Sequence, residues 1–171
     1  MISVYLITGA PGTGKTTLLR EIVAAFRGQA GGFYTQEIRI RGIREGFLLT
    51  TLAGEQATLA HINLSGKPRV GKYGVDLASL ERVGVVALRK AIMQYDVVVV
   101  DEIGKMELYS VAFRDTVTEA LASDKKVLGT ILLAPHPWAD NIKRMPQVQL
   151  LVLTRSNHEQ VKEEIMRWLE N

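Results

Sequence analysis

Short apolar, β-branched runs alternate along the chain with stretches whose apolar positions recur at helical spacing. Ile2 to Thr8 is the first such run, and a glycine-rich turn follows it, which predicts a strand leading into a loop. From Lys15 to Phe26 the residues Leu18, Leu19, Ile22, Val23 and Phe26 share one helical face, and Gly28 closes the segment. Val97 to Val100 is apolar at every position, as a parallel strand covered on both faces requires. Val127 to Leu133 and Val148 to Leu153 read as two more strands of this kind. Helical stretches lie between them at Val111 to Ala122 and, more briefly, near Trp138 to Ile142. The last helix is predicted over Asn157 to Leu169, with Val161, Ile165, Trp168 and Leu169 on its buried side. Strand and helix in alternation predict an α/β fold with a mainly parallel sheet.

One region breaks the alternation. Phe33 to Leu52 reads as two β-rich runs around Gly42, hence a hairpin, and short apolar pieces continue to Tyr73. We expect a small antiparallel insertion over about residues 32–73, on the flank of the sheet, with a helix resuming from Leu77 to Met93. No Pro/Gly/Ser-rich linker divides the sequence, so residues 1–171 are expected to form a single domain.

Composition narrows the class. The chain has 171 residues, 47% hydrophobic and 23% charged, which excludes disorder as the main state. With no Cys there is no disulfide framework, thiolate metal site or thiol nucleophile. His61, His136 and His158 have no metal-ligand spacing. The net charge of +3 is a weak signal for nucleic acid, which is not favoured as a partner. Lys67, Arg69 and Lys72 make a basic stretch that reads as loop solvation before it reads as a nucleic-acid patch. No apolar run approaches the roughly 20 residues a bilayer demands, and no basic leader precedes the first strand. A cytoplasmic protein without membrane contact is the expectation, a monomer before a dimer.

The chemistry concentrates at two places. Gly9, Ala10, Pro11, Gly12, Thr13, Gly14, Lys15 and Thr16 spell GxxxxGKT, the phosphate-binding loop, between a predicted strand and a predicted helix. The glycines let successive backbone N–H groups turn inward onto phosphate oxygens, and the helix N-terminus adds its dipole. Lys15 is expected to reach the β- and γ-phosphates, and Thr16 to place its hydroxyl on Mg²⁺. Thr17 either contacts the α-phosphate or caps the helix.

The second place is the end of the Val97 run. Asp101 is placed to hold Mg²⁺, through water, beyond the carboxyl end of a strand. Glu102 beside it is placed to orient and deprotonate a water aimed at the γ-phosphorus, as a hydrolase needs and a kinase does not. The stretch Val98, Val99, Val100, Asp101, Glu102, Ile103, Gly104 and Lys105 is expected to border the nucleotide. Lys105 either neutralises charge in the transition state or pairs with Glu107 or Glu102. Arg39, Arg41, Arg44 and Arg144 are candidates for a cation on the departing phosphoryl group, with a solvated hairpin as the plain alternative for the first three. Phe33 and Tyr34 either flank the nucleotide or fill the core.

The strings GAPGTGKTT (Gly9 to Thr17) and DEIGKMEL (Asp101 to Leu108) resemble those of the small P-loop nucleoside-triphosphatase family. The resemblance continues through GFYTQEIRIRGIREGF (Gly32 to Phe47), VGKYGVDLASLE (Val70 to Glu81), Gly129-Thr130 and LTRSN (Leu153 to Asn157). It implies a three-layer, RecA-like P-loop α/β core. It also implies Mg²⁺-dependent hydrolysis of ATP, GTP and other nucleoside triphosphates to diphosphate and phosphate, with broad base tolerance. By the same resemblance Arg44 is the preferred arginine and Asn157 is expected near the nucleotide, while His158 stands where the family carries Arg. Ala134 to Met145 departs from the family pattern and is expected to form a mobile flap. Two rival readings share this core. A nucleotide or nucleoside kinase would need an acceptor pocket and an arginine-rich lid, and an ATP-switched nucleic-acid module would need a basic surface.

Overall fold

In the computed structural model, which describes residues 1–66 and 68–171, one nine-stranded sheet runs in the order β5-β6-β4-β3-β2-β7-β8-β1-β9. Lys67, from the basic stretch, lies outside the described residues. The strands are β1 (Val4–Thr8), β2 (Ala30–Ile40), β3 (Ile43–Thr51), β4 (Gln56–His61), β5 (Arg69–Val70), β6 (Tyr73–Val75), β7 (Val97–Ile103), β8 (Lys126–Ile131) and β9 (Val148–Val152). The helices are α1 (Lys15–Ala25), α2 (Leu77–Ser79), α3 (Val86–Gln94), α4 (Val111–Ala122), α5 (Pro137–Lys143) and α6 (His158–Glu170).

Strands β2, β7, β8, β1 and β9 pair in parallel, and β3 to β6 pair antiparallel beyond them. The fully apolar β7 run explains the layering. Val97 and Val99 pack with Leu18, Leu19 and Ile22 of α1 and with Val161 and Ile165 of α6. Val98 and Val100 point the other way, to a core holding Leu88 and Ala91 of α3 and Phe113 and Val117 of α4. Helices on both faces of a parallel core make the three-layer α/β class expected, and each buried side chain of this size stabilises it by about 1.5–3 kcal/mol. Among the described residues no helix is long and apolar enough to cross a membrane.

Three features differ from the sequence pattern. The expected flanking insertion is continuous with the sheet, because β2 begins inside the parallel core. Ala30 to Phe33 pair with Val97 to Val100, and the same strand then runs out as one arm of the hairpin with β3. Gly31 and Gly32 are required there, since a Cβ on Gly31 would run into the Tyr95 ring and one on Gly32 into the Val99 carbonyl. The helix over Leu77 to Met93 holds a π-helical segment at Leu80–Val85 between α2 and α3. The expected flap instead folds as α5, seated by the fully buried Ala139 and by Ile142.

A break in the β7–β8 register positions the acidic pair. Val100 pairs with Gly129 and Ile103 with Ile131, so Asp101 and Glu102 together face the single residue Thr130. The Asp101–Glu102 peptide bond is cis.

Candidate active site

The phosphate loop joins β1 to α1. Gly14 sits just before α1 at φ 87°, the left-handed region, where a side chain would also press on His158. Thr13 donates both its backbone N–H and its hydroxyl to the Ala10 carbonyl, at 3.3 and 2.9 Å, closing the turn. The Lys15 ammonium donates to the carbonyls of Gly9 and Ala10 at 3.0 and 3.2 Å. Pro11 and Gly12 form the exposed crest of the loop.

Strand β8 lies between β1 and β7, so the loop and the acidic pair approach from either side of it. Thr16 donates its hydroxyl to Asp101 Oδ2 at 2.8 Å, and Thr130 on β8 donates its hydroxyl to Oδ1 at 2.5 Å. The Thr35 N–H on β2 is 3.5 Å from Oδ2. Three strands and one helix therefore converge on one carboxylate that is only 2% exposed. Burial pushes the Asp101 carboxyl above its ordinary range, and the hydrogen bonds from Thr130 and Thr16 pull against it. Glu102 is pushed up by burial first and by the Asp101 charge second, with Lys15 opposing. Glu107, 4% exposed, is pushed well above the ordinary range by burial and then by the nearby Glu102 charge.

A hard divalent cation suits the corner at Thr16 and Asp101. Both side chains offer oxygen, and neither Asp101 oxygen is hydrogen-bonded to a cationic side chain. Among the described residues no group of three or more His, Asp or Glu could hold a metal alone. A cation there would complete its shell from phosphate oxygens and water.

Two adjoining clefts meet at Gly12, Lys15, Thr35, Glu37, Phe47 and Glu102. The smaller, about 380 Å³, is lined further by Gly14, Thr16, Thr17, Arg20 and Asp101. The Arg20 guanidinium lies 4.5 Å over the Tyr34 ring on its flank, while Phe33 is a core residue. The larger, about 720 Å³, is lined by Gly9, Pro11, Arg44, Phe47, Gly104 and Lys105, among others.

Several expected site residues fall elsewhere. Val98, Val99, Val100 and Ile103 are sealed in the core at 1% exposure or less, so no nucleotide reaches their side chains and they serve as the carrier of Asp101. The Asn157 amide is engaged by its own loop: Oδ1 accepts from Thr154 N–H at 2.7 Å and Nδ2 donates to the Val152 carbonyl at 2.9 Å. Arg44 lines the larger cleft with its guanidinium held by the Tyr73 hydroxyl at 2.8 Å and by Glu37 at 3.1 Å. Arg39 pairs with Glu37 at 2.7 Å, and Arg41 sits at the hairpin tip with φ 53°. Arg144 is exposed and bonds back to Asp140, away from both clefts. Lys105 lines the larger cleft and has no salt-bridge partner among the described residues. Arg69, from the basic stretch, donates to the carbonyls of Leu64 and Lys72, bracing its own turn.

Three contacts at the candidate site are not foreseen by the sequence. Thr130 reaches Asp101 across the bulge, Thr35 reaches it from β2, and His158 Nε2 lies 2.7 Å from the Thr13 carbonyl in the phosphate loop. The Gly129-Thr130 pair at a strand end was the one available signal for the first.

The family model described as NTPase matches residues 4–166. The nucleoside-triphosphatase THEP1 of Thermotoga sp. (strain RQ2) is 43% identical over 94% of this chain and 92% of its own. That of Methanocaldococcus jannaschii is 40% identical over 94% and 93%. The crystal structure of THEP1 from Aquifex aeolicus superposes with a TM-score of 0.91 at 35% identity, covering 98% of this chain and 99% of that one. The solution structure of a human cancer-related nucleoside triphosphatase gives 0.81 at 34% identity, covering 99% and 98%.

Proposed function

The chain belongs to the NTPase family and is a nucleoside-triphosphate hydrolase, and we propose that its reaction is Mg²⁺-dependent cleavage of the β–γ phosphoanhydride of ATP, GTP and other nucleoside triphosphates. The observation that carries this reading is the buried Asp101 carboxylate, joined to the phosphate loop by Thr16 and to β8 by Thr130, with Glu102 as its chain neighbour. That arrangement supports Glu102 as a water-activating carboxylate beside a metal-holding Asp101.

The roles follow from the positions. The Gly9–Gly14 turn cradles phosphate with backbone N–H groups at the start of α1. Lys15 exchanges the Gly9 and Ala10 carbonyls for β- and γ-phosphate oxygens. Bound between Thr16 and Asp101, Mg²⁺ would neutralise developing charge on the phosphate oxygens. Glu102 accepts the proton of the attacking water, and its raised affinity for that proton suits a base. Lys105, at the edge of the larger cleft, is placed to add positive charge on the γ side. Arg44 can do so only by giving up Glu37. Asn157 acts at one remove, by fixing the loop from which His158 reaches Thr13. Thr17 and Arg20 are exposed at the end where the nucleoside would emerge, which supports weak selection among bases.

The test is phosphate release from a panel of nucleoside triphosphates and diphosphates, with Mg²⁺ and with EDTA. Release from several triphosphates with similar kcat/KM, lost in EDTA, is the expected outcome. A single preferred base, or turnover that survives EDTA, overturns the reading.

A further inference from the structure

The larger cleft lies on the side of the phosphate loop where a bound triphosphate would carry its γ-phosphate. A bound triphosphate has a direction on this loop, with the α-phosphate toward Thr17 and the γ-phosphate within reach of Lys15. Thr17 and Arg20 line the smaller cleft, whereas Gly9, Pro11 and Lys105 line the larger one. Glu102 borders both clefts, and the larger one lies on the γ side, opposite the departing diphosphate, from which an in-line nucleophile arrives.

Its size and lining exceed what a water requires. A water occupies about 30 Å³ in the liquid, and this space is about 720 Å³, within the range of small-molecule sites. Phe47, Leu59, Val70, Met106 and Leu132 give it an apolar wall. Lys105, exposed and without a salt-bridge partner among the described residues, brings positive charge to the same cleft, where the Arg44 charge is met by Glu37 and the Glu107 carboxyl is buried. An apolar wall gives no hold on water, but it does hold a ring, and a cation facing it holds an anionic substituent.

We infer that this cleft binds a second substrate, a small molecule with an apolar ring and a carboxylate or phosphate substituent, and that a hydroxyl of this molecule takes the γ-phosphoryl group in competition with water. The inference rests on the hydrolase reading above, because the same Glu102 and the same loop serve both nucleophiles. The hydroxyl oxygen forms a bond to the γ-phosphorus. The bond from the γ-phosphorus to the β–γ bridging oxygen breaks, and its electron pair leaves with the nucleoside diphosphate. The hydroxyl proton passes to the Glu102 carboxylate. The step replaces H–OH by R–OH and needs no oxidant or reductant.

The three positional isomers of hydroxymethylbenzoate serve as acceptor probes, each at millimolar concentration with ATP and Mg²⁺. Phosphorus NMR of one sample reads inorganic phosphate and the phosphate monoester together. The expected result is a monoester-to-phosphate ratio at least ~10-fold above the ratio of alcohol to water concentration, for at least one isomer, because a bound nucleophile has a high effective molarity. Leu133→Trp, at a half-exposed position of the cleft wall, should lower that ratio about tenfold. Phosphate release with no enrichment of ester for any isomer overturns the acceptor site and leaves the hydrolase intact. No phosphate release from ATP alone, with ester formed, overturns the hydrolase reading and keeps the acceptor site; absence of both products overturns both. A complex with a non-hydrolysable ATP analogue that places the base in this cleft also overturns the inference.

Discussion

His158 Nε2 lies 2.7 Å from the carbonyl oxygen of Thr13, so the first residue of α6 holds the phosphate loop across the sheet edge. The same ring packs beside the position where Gly14 would carry a side chain. His158→Ala removes one hydrogen bond, worth about 1 kcal/mol, and leaves the Gly14 turn without its cover. Since the contact shapes the loop before any chemistry, KM for ATP should rise roughly fivefold with little change in kcat. Steady-state kinetics over a range of ATP concentrations reads both. A fall in kcat at unchanged KM would place the ring in the chemical step instead.

Thr130→Val keeps the side-chain shape and removes the donor to Asp101 Oδ1. A buried carboxylate oxygen without its partner costs about 1–3 kcal/mol of stability. Urea unfolding should show that loss, and phosphate release should fall at least ~10-fold because Asp101 is no longer oriented. Wild-type turnover in the variant would remove Thr130 from the site.

Glu102→Ala should bind ATP as the wild type does and lose roughly 10²–10⁴-fold in kcat, the usual worth of a positioned base. Lys15→Ala should lose binding as well. The two are separated by measuring nucleotide affinity calorimetrically beside turnover. In the wild type the base works deprotonated, so activity falls as pH drops through the Glu102 value. Burial and the Asp101 charge lift that value above 4.5, and the acid limb of the pH–rate profile should lie above the ordinary glutamate range. A limb at the ordinary range would show that another group titrates.

Glu107→Gln tests the buried acid under the Gly104 turn. Its carboxyl binds its proton more tightly folded than unfolded, so its contribution to stability is complete below the ordinary glutamate value of 4.5 and is lost as pH rises through the folded value. The amide has no proton to lose. The variant should therefore gain stability relative to wild type as pH is raised above that range, read as the difference between two melting curves at each pH. Parallel pH dependences would mean that Glu107 titrates normally.

The parts of the site that are contiguous in sequence were legible in it. Residues 9–16 need only their own spacing, and the Val97 run announces a strand whose end carries Asp101 and Glu102. Thr130 and His158 were not assigned a contact, because each meets its partner through the fold, across 29 and 145 residues of chain. A threonine after a strand and a histidine at a helix start have ordinary local explanations, and only the packing of β8 beside β7 and of α6 beside α1 makes them specific. The same holds for β2. Glycines at 31 and 32 weaken strands in most contexts, and their service here depends on the close approach of Tyr95 to Gly31 and of Val99 to Gly32, which no local pattern encodes. Val98 to Val100 erred in the opposite direction. Their adjacency to Asp101 suggested contact with the ligand, whereas a strand covered on both faces buries what it carries.

The order of the strands sets when this protein can work. β1, which leads into the phosphate loop, is synthesised before every other strand of this sheet, yet its neighbours in the sheet are β8 and β9, with Val4 aligned to both Val127 and Val148. A nascent chain that has emerged only through β7 holds the loop sequence on a strand with neither partner, and such long-range pairings form late. Nucleotide binding is therefore a property of the chain through β9 and α6, and no amino-terminal fragment ending before β8 should acquire it. Translation yields the candidate site residues one after another, but the site they form arrives all at once, when β8 and β9 close on β1.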